Sequence, residues 1–150
     1  MEITTNLEIY QGGLDTQKIY QNWLNFGADN NFGANSFFIG LVREENGISG
    51  LSFDIYEPLL INWFKAWSKK ALEKEVYLKM AHSLGDVKNH QSSYMAGIFS
   101  PQRKANLEIF EEFIEDFKHH APIWKYDLKN GKRIYAKERS HKLPFSGILA

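Results

Sequence analysis

Two strand-like segments, VYLKMAH (residues 76–82) and YMAGIF (94–99), are followed directly by SPQRKANLEIFEEFIEDFKHHAP (100–122). Ser100 and Pro101 form an N-cap and first-turn pair that predicts a helix, and the proline at the end of the segment halts it. Apolar side chains recur along this helix at steps of three and four: Leu107, Phe110, Ile114 and Phe117. The pattern predicts two consecutive strands followed by one amphipathic helix.

The upstream sequence continues the mixture of strands and helices. SFFIGLVR (36–43) and GLSFDIY (50–56) are strand candidates, and Asn46-Gly47 between them predicts a β-hairpin because both residues tolerate positive φ. Pro58 then stands at a first helical position. The helix that it opens carries one apolar stripe: Leu60, Trp63, Phe64, Trp67 and Ala71.

The two ends of the chain complete the prediction. Residues 2–9 (EITTNLEI) form an opening strand, and Asp15 caps a helix after it. Residues 133–137 form a short final strand after the Asn130-Gly131 turn. Because strands and helices alternate without a regular βαβ rhythm, we expect the α+β class, with residues 1–150 forming a single domain.

Composition excludes several classes of function. The chain has 150 residues, 43% of them apolar and 24% charged, and no cysteine. Disulfide frameworks, Cys-based zinc sites, iron–sulfur clusters and a thiol nucleophile are therefore excluded. No apolar run is long enough to span a membrane and the N-terminus lacks a secretory signal, so we expect a cytoplasmic protein. The five histidines lack the i, i+4 spacing of a helical metal site, and we expect no metal.

The charge is distributed unevenly, although the net charge is zero. Residues 1–117 carry a net charge of −6, and residues 118–150 carry +6. A basic C-terminal third favours an anionic ligand. Two simpler explanations stay open: a solvated basic surface, or a tail that folds back on an acidic face.

Four basic residues are candidates for chemistry. Lys118 and Lys125 flank the helix stop at Ala121-Pro122, where neighbouring cations favour the neutral, reactive amine while the helix dipole opposes it. Arg43 ends a strand and Arg103 lies in a first helical turn, where free N–H groups suit a phosphate. The simpler alternatives are a helix C-cap for Lys118 and a surface ion pair of Arg43 with Glu44 or Glu45.

These residues lie in three segments whose order resembles that of a known protein family. FIGLVREEN (38–46), SPQR (100–103) and FKHHAPIWK (117–125) together resemble the large, catalytic subunit of molybdopterin synthase. The family has a strand that ends in G-x-V-R, later a helix-opening H-R, and then a lysine followed by A-P-x-W-K. The similarity runs in register from about residue 35 to about residue 128, and SFDIY (52–56) fits it as well.

The resemblance implies an α/β hammerhead fold, a homodimer, and a heterotetramer in which each large subunit binds one small subunit. The implied reaction converts cyclic pyranopterin monophosphate to molybdopterin. Sulfur arrives as a thiocarboxylate on the C-terminal glycine of the small, ubiquitin-like partner, and the lack of cysteine agrees with imported sulfur. No cofactor, metal, nucleic acid or membrane is implied.

The resemblance also assigns residues. Lys118 and Lys125 look like the catalytic lysines, the first as an acid/base or nucleophilic group and the second in support of sulfur transfer and opening of the cyclic phosphate. Tyr126 and Asp127 would line the same wall. The implied phosphate- and pterin-binding residues are Leu41, Val42, Arg43, Gln102 and Arg103.

This sequence departs from the family at Gln102, where a histidine is usual; glutamine hydrogen-bonds a phosphate but supplies neither proton nor charge. Arg139 is a further candidate anion-binding residue. The apolar side chains of LPFSGILA (143–150) suggest a surface for the small subunit. Two alternatives stay open: a non-catalytic binder of anions or RNA through residues 118–142, and a relative that keeps the scaffold without the activity.

Overall fold

A computed structural model describes residues 6–136 of the chain. Arg139, residues 143–150, and the ends of two predicted strands (residues 2–5 and Lys137) lie outside the described residues. The described part has seven strands and three helices. In chain order they are β1 (Leu7–Gln11), α1 (Thr16–Asp29), β2 (Ala34–Leu41), β3 (Gly50–Ile55), α2 (Glu57–Leu72), β4 (Tyr77–Lys88), β5 (Ser92–Ser100), α3 (Arg103–His120), β6 (Ile123–Lys129) and β7 (Lys132–Tyr135).

The seven strands form one sheet in the order β2-β5-β4-β3-β6-β7, with β1 parallel to β4. The long strand β4 holds the sheet together because it changes partner along its length. It pairs with β5 as far as His82 and with β3 from Gly85 onward. Gly85 has a φ of +82°, in the left-handed region that favours glycine, and this residue marks the change.

Helices cover the two faces of the sheet. Helices α2 and α3 pack on one face, where Phe64, Ile109 and Phe113 are completely buried against Met80 and Ile98. Helix α1 covers the other face with Trp23, which packs among further buried side chains: Leu14, Ile19, Ala81, Met95 and Phe99. Full burial of a large apolar side chain contributes about 1.5–3 kcal/mol, so these two layers supply most of the fold's driving force.

Most predicted elements are confirmed. Asp15 caps α1 by accepting a hydrogen bond from the backbone N–H of Lys18 at 3.2 Å. The predicted stripe of α2 is buried at four of its positions, Leu60, Phe64, Trp67 and Ala71, with Trp63 partly buried. Asn130 and Gly131 both have positive φ and join β6 to β7.

The predicted hairpin between β2 and β3 is wrong. Strand β2 pairs with β5 at the edge of the sheet, and β3 lies between β4 and β6. Asn46-Gly47 closes only an isolated bridge between Glu45 and Ile48. The turn dipeptide is real, but β5 is buried along nearly its whole length and takes β2 as its outer neighbour.

The start of α3 and its apolar stripe also differ from the prediction. The helix begins at Arg103 with Gln102 at the N-cap, because the Ser100 hydroxyl donates to the Gln102 carbonyl at 2.6 Å within the preceding turn. Leu107 is 57% exposed. The buried stripe is centred on Ile109 and Phe113, which turns Leu107 away from the sheet.

Candidate active site

Lys125 is held on a strand that starts where a helix is forced to stop. Pro122 disfavours helical backbone at the residue before it, and Ala121 is extended, with φ −62° and ψ 133°. Strand β6 therefore begins at Ile123 and runs antiparallel to β3, which sets Lys125 opposite Phe53. Side chains alternate along a strand, so Lys125 shares its face of the sheet with Ile123 and Asp127.

Lys125 and the end of β2 line one cavity of about 180 Å³. Its other lining residues are Leu41, Val42, Arg43, Glu45, Ile48, Leu51 and Ser93. Val42 is buried, and its backbone fixes the segment: its N–H donates to the Gln91 carbonyl at 2.8 Å, and its carbonyl accepts from the His90 N–H at 2.7 Å. The cavity therefore joins residues that are far apart in sequence.

Arg43 extends from this rigid segment into solvent. Its side chain is 83% exposed, and its guanidinium forms an ion pair with Glu45 at 3.1 Å. This is one of the two glutamates that the sequence offered as partners. An exposed ion pair of this kind contributes little to stability, on the order of 0–1 kcal/mol, so a phosphate can take the guanidinium at low cost.

Lys118 is exposed in the last turn of α3, directly after the partly buried Phe117. The Phe117 ring stacks on Tyr94, with centroids 3.8 Å apart and planes 10° apart. The turn that carries Lys118 is thus packed on β5, and ring contacts through His82 link it to Phe53, the residue opposite Lys125.

The floor between the two lysine positions is buried and electrically neutral. The His82 ring lies 4.9 Å from Phe53, which is opposite Lys125, and 5.7 Å from Phe117. Burial lowers the pKa of His82 to about 4, and its Nδ1 bonds the Ser83 carbonyl at 2.7 Å, so the ring is neutral at pH 7. Burial also raises the pKa of Tyr94. Neither group carries a charge that competes with the lysines.

Tyr126 and Asp127 lie on opposite faces of β6. Asp127 is opposite Leu51, which lines the cavity, on the same face as Lys125. Tyr126 faces the reverse side, where the guanidinium of Arg133 lies 4.1 Å from its ring centroid. The pKa of Tyr126 is raised by burial and by its hydrogen bond to Asp54.

Arg133 connects three strands behind the Lys125 face. Its guanidinium donates to both carboxylate oxygens of Asp54, at 2.7 and 3.4 Å, and to the Ser52 hydroxyl at 3.0 Å. The hydrogen bond from Arg133 lowers the pKa of Asp54. This contact has no signal in the sequence, because it depends on the pairing of β3, β6 and β7.

Gln102 and Arg103 lie at the other end of α3. With Gly33, Ala34 and Lys104 they border a separate, open cavity of about 840 Å³. Gln102 makes no side-chain cap, so first-turn N–H groups of the helix remain without one. Fifteen residues of helix separate Arg103 from Lys118, a rise of about 22 Å. Within one chain, therefore, the predicted residues fall into two groups.

Two further observations concern metals and membranes. Within residues 6–136, no cluster of histidine and carboxylate side chains has the arrangement needed to bind a metal ion. None of the three described helices combines the length and the apolar character that crossing a bilayer requires.

Ser93, Ile48 and Leu51 line the cavity without any sequence signal, since only the fold brings them there.

Comparison with known proteins finds sequence matches over most of the chain. The family model described as MoaE protein matches residues 10–120. A molybdopterin synthase catalytic subunit from Helicobacter pylori strain 26695 is 56% identical over 144 residues, covering 96% of this chain and 99% of the relative.

Solved structures agree with the fold. A complex of subunits 1 and 2 of molybdopterin-converting factor from Helicobacter pylori 26695 contains a chain with a TM-score of 0.90 and 56% identity, covering 96% of this chain and 99% of that one. A molybdopterin synthase from Staphylococcus aureus has a TM-score of 0.74 at 23% identity, over 90% of this chain and 97% of that one, and supports the fold alone.

Proposed function

This chain belongs to the MoaE protein family, and we propose that it is the catalytic subunit of a molybdopterin synthase whose chemistry takes place at the Arg43–Lys125 cavity beside Lys118. One observation carries the choice of site. The fold brings Leu41, Val42, Arg43 and Lys125 to one cavity, and ring contacts through His82 link the turn that holds Lys118 to Phe53, opposite Lys125.

The reaction that fits is the conversion of cyclic pyranopterin monophosphate to molybdopterin, a sulfur transfer. The chain has no cysteine, so the sulfur must come from another molecule. We propose the thiocarboxylate at the C-terminal glycine of a small, ubiquitin-like subunit as that source. The relative of known structure was solved as a complex of two subunits, which supports a partner of this kind.

The positions of three cationic side chains suit different steps of the reaction. Arg43 is exposed and weakly paired, which suits a guanidinium that binds the substrate phosphate bidentately. Lys125 is half-buried in the cavity wall and supports sulfur transfer and phosphate opening by stabilising negative charge. Lys118 is exposed in the last turn of α3, where we place the meeting of the partner's C-terminus with the substrate, and it acts as the acid/base or nucleophilic group.

Gln102 and Arg103 join this site only if a second copy supplies them, because α3 separates them from Lys118 by about 22 Å. Strand β2 is an edge strand that runs from the Arg103 cavity, at Ala34, to the Arg43 cavity, at Leu41. An antiparallel arrangement of two copies about a two-fold axis near this edge would bring each Arg103 to the other copy's Lys118. We therefore propose a homodimer with shared sites, within a heterotetramer that includes two small subunits.

The proposed setting is the cytoplasm. The alternative function, an anion- or RNA-binding protein that uses residues 118–142, has no support among the relatives. The two functions are separated by a reconstituted reaction that combines this chain, a thiocarboxylated small subunit and cyclic pyranopterin monophosphate. We expect molybdopterin to form, and to form only when the small subunit carries the thiocarboxylate.

One outcome of the same experiment would count against this proposal. A folded chain that yields no product, while it binds RNA with an affinity that falls steeply as salt rises, would overturn the proposed function.

A further inference from the structure

The carboxylate of Asp116 fastens the last turn of α3 to α2. Its Oδ2 accepts hydrogen bonds from the indole Nε1 of Trp63 at 3.0 Å and of Trp67 at 2.6 Å. Its Oδ1 bonds Nδ1 of His120 at 2.7 Å. Trp63 and Trp67 are four residues apart on α2, so both indoles face α3 from one side. One carboxylate thus ties two helices and the helix end together.

Helix formation does not explain an acidic residue at this position. Asp116 lies four residues before the end of α3, where the helix dipole disfavours a negative charge. Three donors offset this cost by satisfying the partly buried carboxylate. Apolar packing of the two helices is already provided by Phe113, whose ring lies 5.4 Å from each of the same two indoles. The carboxylate therefore adds directional hydrogen bonds to a contact that apolar packing has already formed.

These hydrogen bonds act on the turn that carries Lys118. Asp116 ties this turn to α2, and Phe117 ties it to the sheet through Tyr94. Two consecutive residues thus fix the backbone on two sides immediately before Lys118. The helix ends two residues after it, where an unanchored turn would fray.

We propose that Asp116 is a positioning residue for Lys118: its hydrogen bonds to Trp63 and Trp67 hold the last turn of α3 so that the Lys118 amine meets the reacting atoms. This inference rests on the proposed function. It predicts that loss of the carboxylate lowers kcat while leaving the KM for the pterin nearly unchanged, because substrate binding is assigned to Arg43 and the cavity wall.

The test compares four variants of the full chain in the reconstituted reaction with the thiocarboxylated small subunit. Asp116→Ala removes all three hydrogen bonds, and Asp116→Asn keeps an acceptor but loses the charge. Glu112→Gln, one turn earlier, removes the exposed ion pair of Glu112 with Lys70 between the same two helices. Ile109→Val trims a buried side chain of α3 and serves as the control for general destabilisation.

We expect Asp116→Ala to lower kcat on the order of tenfold with less than a twofold change in KM, and Asp116→Asn to lie between it and the native chain. Glu112→Gln and Ile109→Val should retain native kcat at 25 °C, whatever their Tm. Equal losses of kcat in Ile109→Val and Asp116→Ala would overturn the inference, as would native kcat in Asp116→Ala. If the native chain itself forms no product, the proposed function fails instead.

A second measurement covers the case in which Asp116→Ala does not fold. Trp63→Phe and Trp67→Phe each keep an aromatic ring and remove one donor to Asp116. We expect each to lower kcat by a smaller factor than Asp116→Ala, with KM retained. Native kcat in both folded variants would contradict the inference.

Discussion

The Tyr94 ring stacks on Phe117 with centroids 3.8 Å apart, and it does so with its hydroxyl buried and without a hydrogen-bond partner in the described part of the chain. The ring fixes the turn that carries Lys118, whereas the hydroxyl is a cost. A buried hydroxyl without a partner loses its hydration and gains nothing in return. The contact thus contains both a stabilising and a destabilising group.

Tyr94→Phe should therefore stabilise the protein. It keeps the stack on Phe117 and removes the unpartnered hydroxyl, so we expect the free energy of unfolding to rise by about 1 kcal/mol. Urea denaturation at pH 7 measures this change. Tyr126→Phe is the matched control, because the Tyr126 hydroxyl bonds Asp54 and its loss should lower the free energy of unfolding. A loss of stability in Tyr94→Phe would show that the hydroxyl has a partner.

Stability should decline in mild acid because of His82. Burial lowers its pKa from 6.5 to about 4, so the unfolded chain binds more protons than the folded one between these values. The free energy of unfolding should be unaffected by His82 above pH 6.5, fall by about 3 kcal/mol by pH 4, and level off below it. Denaturation curves of the native chain and of His82→Gln from pH 7.5 to 4 measure the difference. The same slope in both would contradict a neutral, buried His82.

The shared site predicts complementation between two inactive variants. Arg103→Ala and Lys118→Ala should each lose activity, since each removes one residue from every site. When their subunits are mixed and allowed to exchange, half of the dimers are mixed, and each mixed dimer has one intact site. We expect about a quarter of native activity to return. No recovery, with subunit exchange verified by native mass spectrometry, would show that Arg103 and Lys118 do not meet across the dimer.

Local patterns in the sequence predicted local structure well. The Asp15 cap, the α2 stripe and the Asn130-Gly131 turn depend on residues a few positions apart, and all three are confirmed. The β2–β3 hairpin is wrong because strand pairing is a property of the whole sheet. A turn dipeptide fixes the bend of the chain but not the partner of either strand.

In the candidate site, too, residues in local motifs were predictable and contacts between distant segments were not. Lys125 and Arg43 were recognisable from their motifs, and the fold brings them to one cavity. Tyr126 is adjacent to Lys125 in sequence, yet strand alternation turns it to the reverse face, toward Arg133. The contacts of Arg133 and Asp116 had no sequence signal, since their partners lie on other strands or on another helix.

We propose that Lys118 and Lys125 act together at one catalytic site. The most direct measurement is the amount of molybdopterin formed in a single turnover with the thiocarboxylated small subunit, for Lys118→Ala, Lys125→Ala and Lys74→Ala. Lys74 is exposed in the turn after α2 and controls for the loss of a charge. We expect at least a hundredfold loss for Lys118→Ala and Lys125→Ala and native product for Lys74→Ala. Native product from either of the first two variants, with the fold intact, would show that the reaction does not need that lysine.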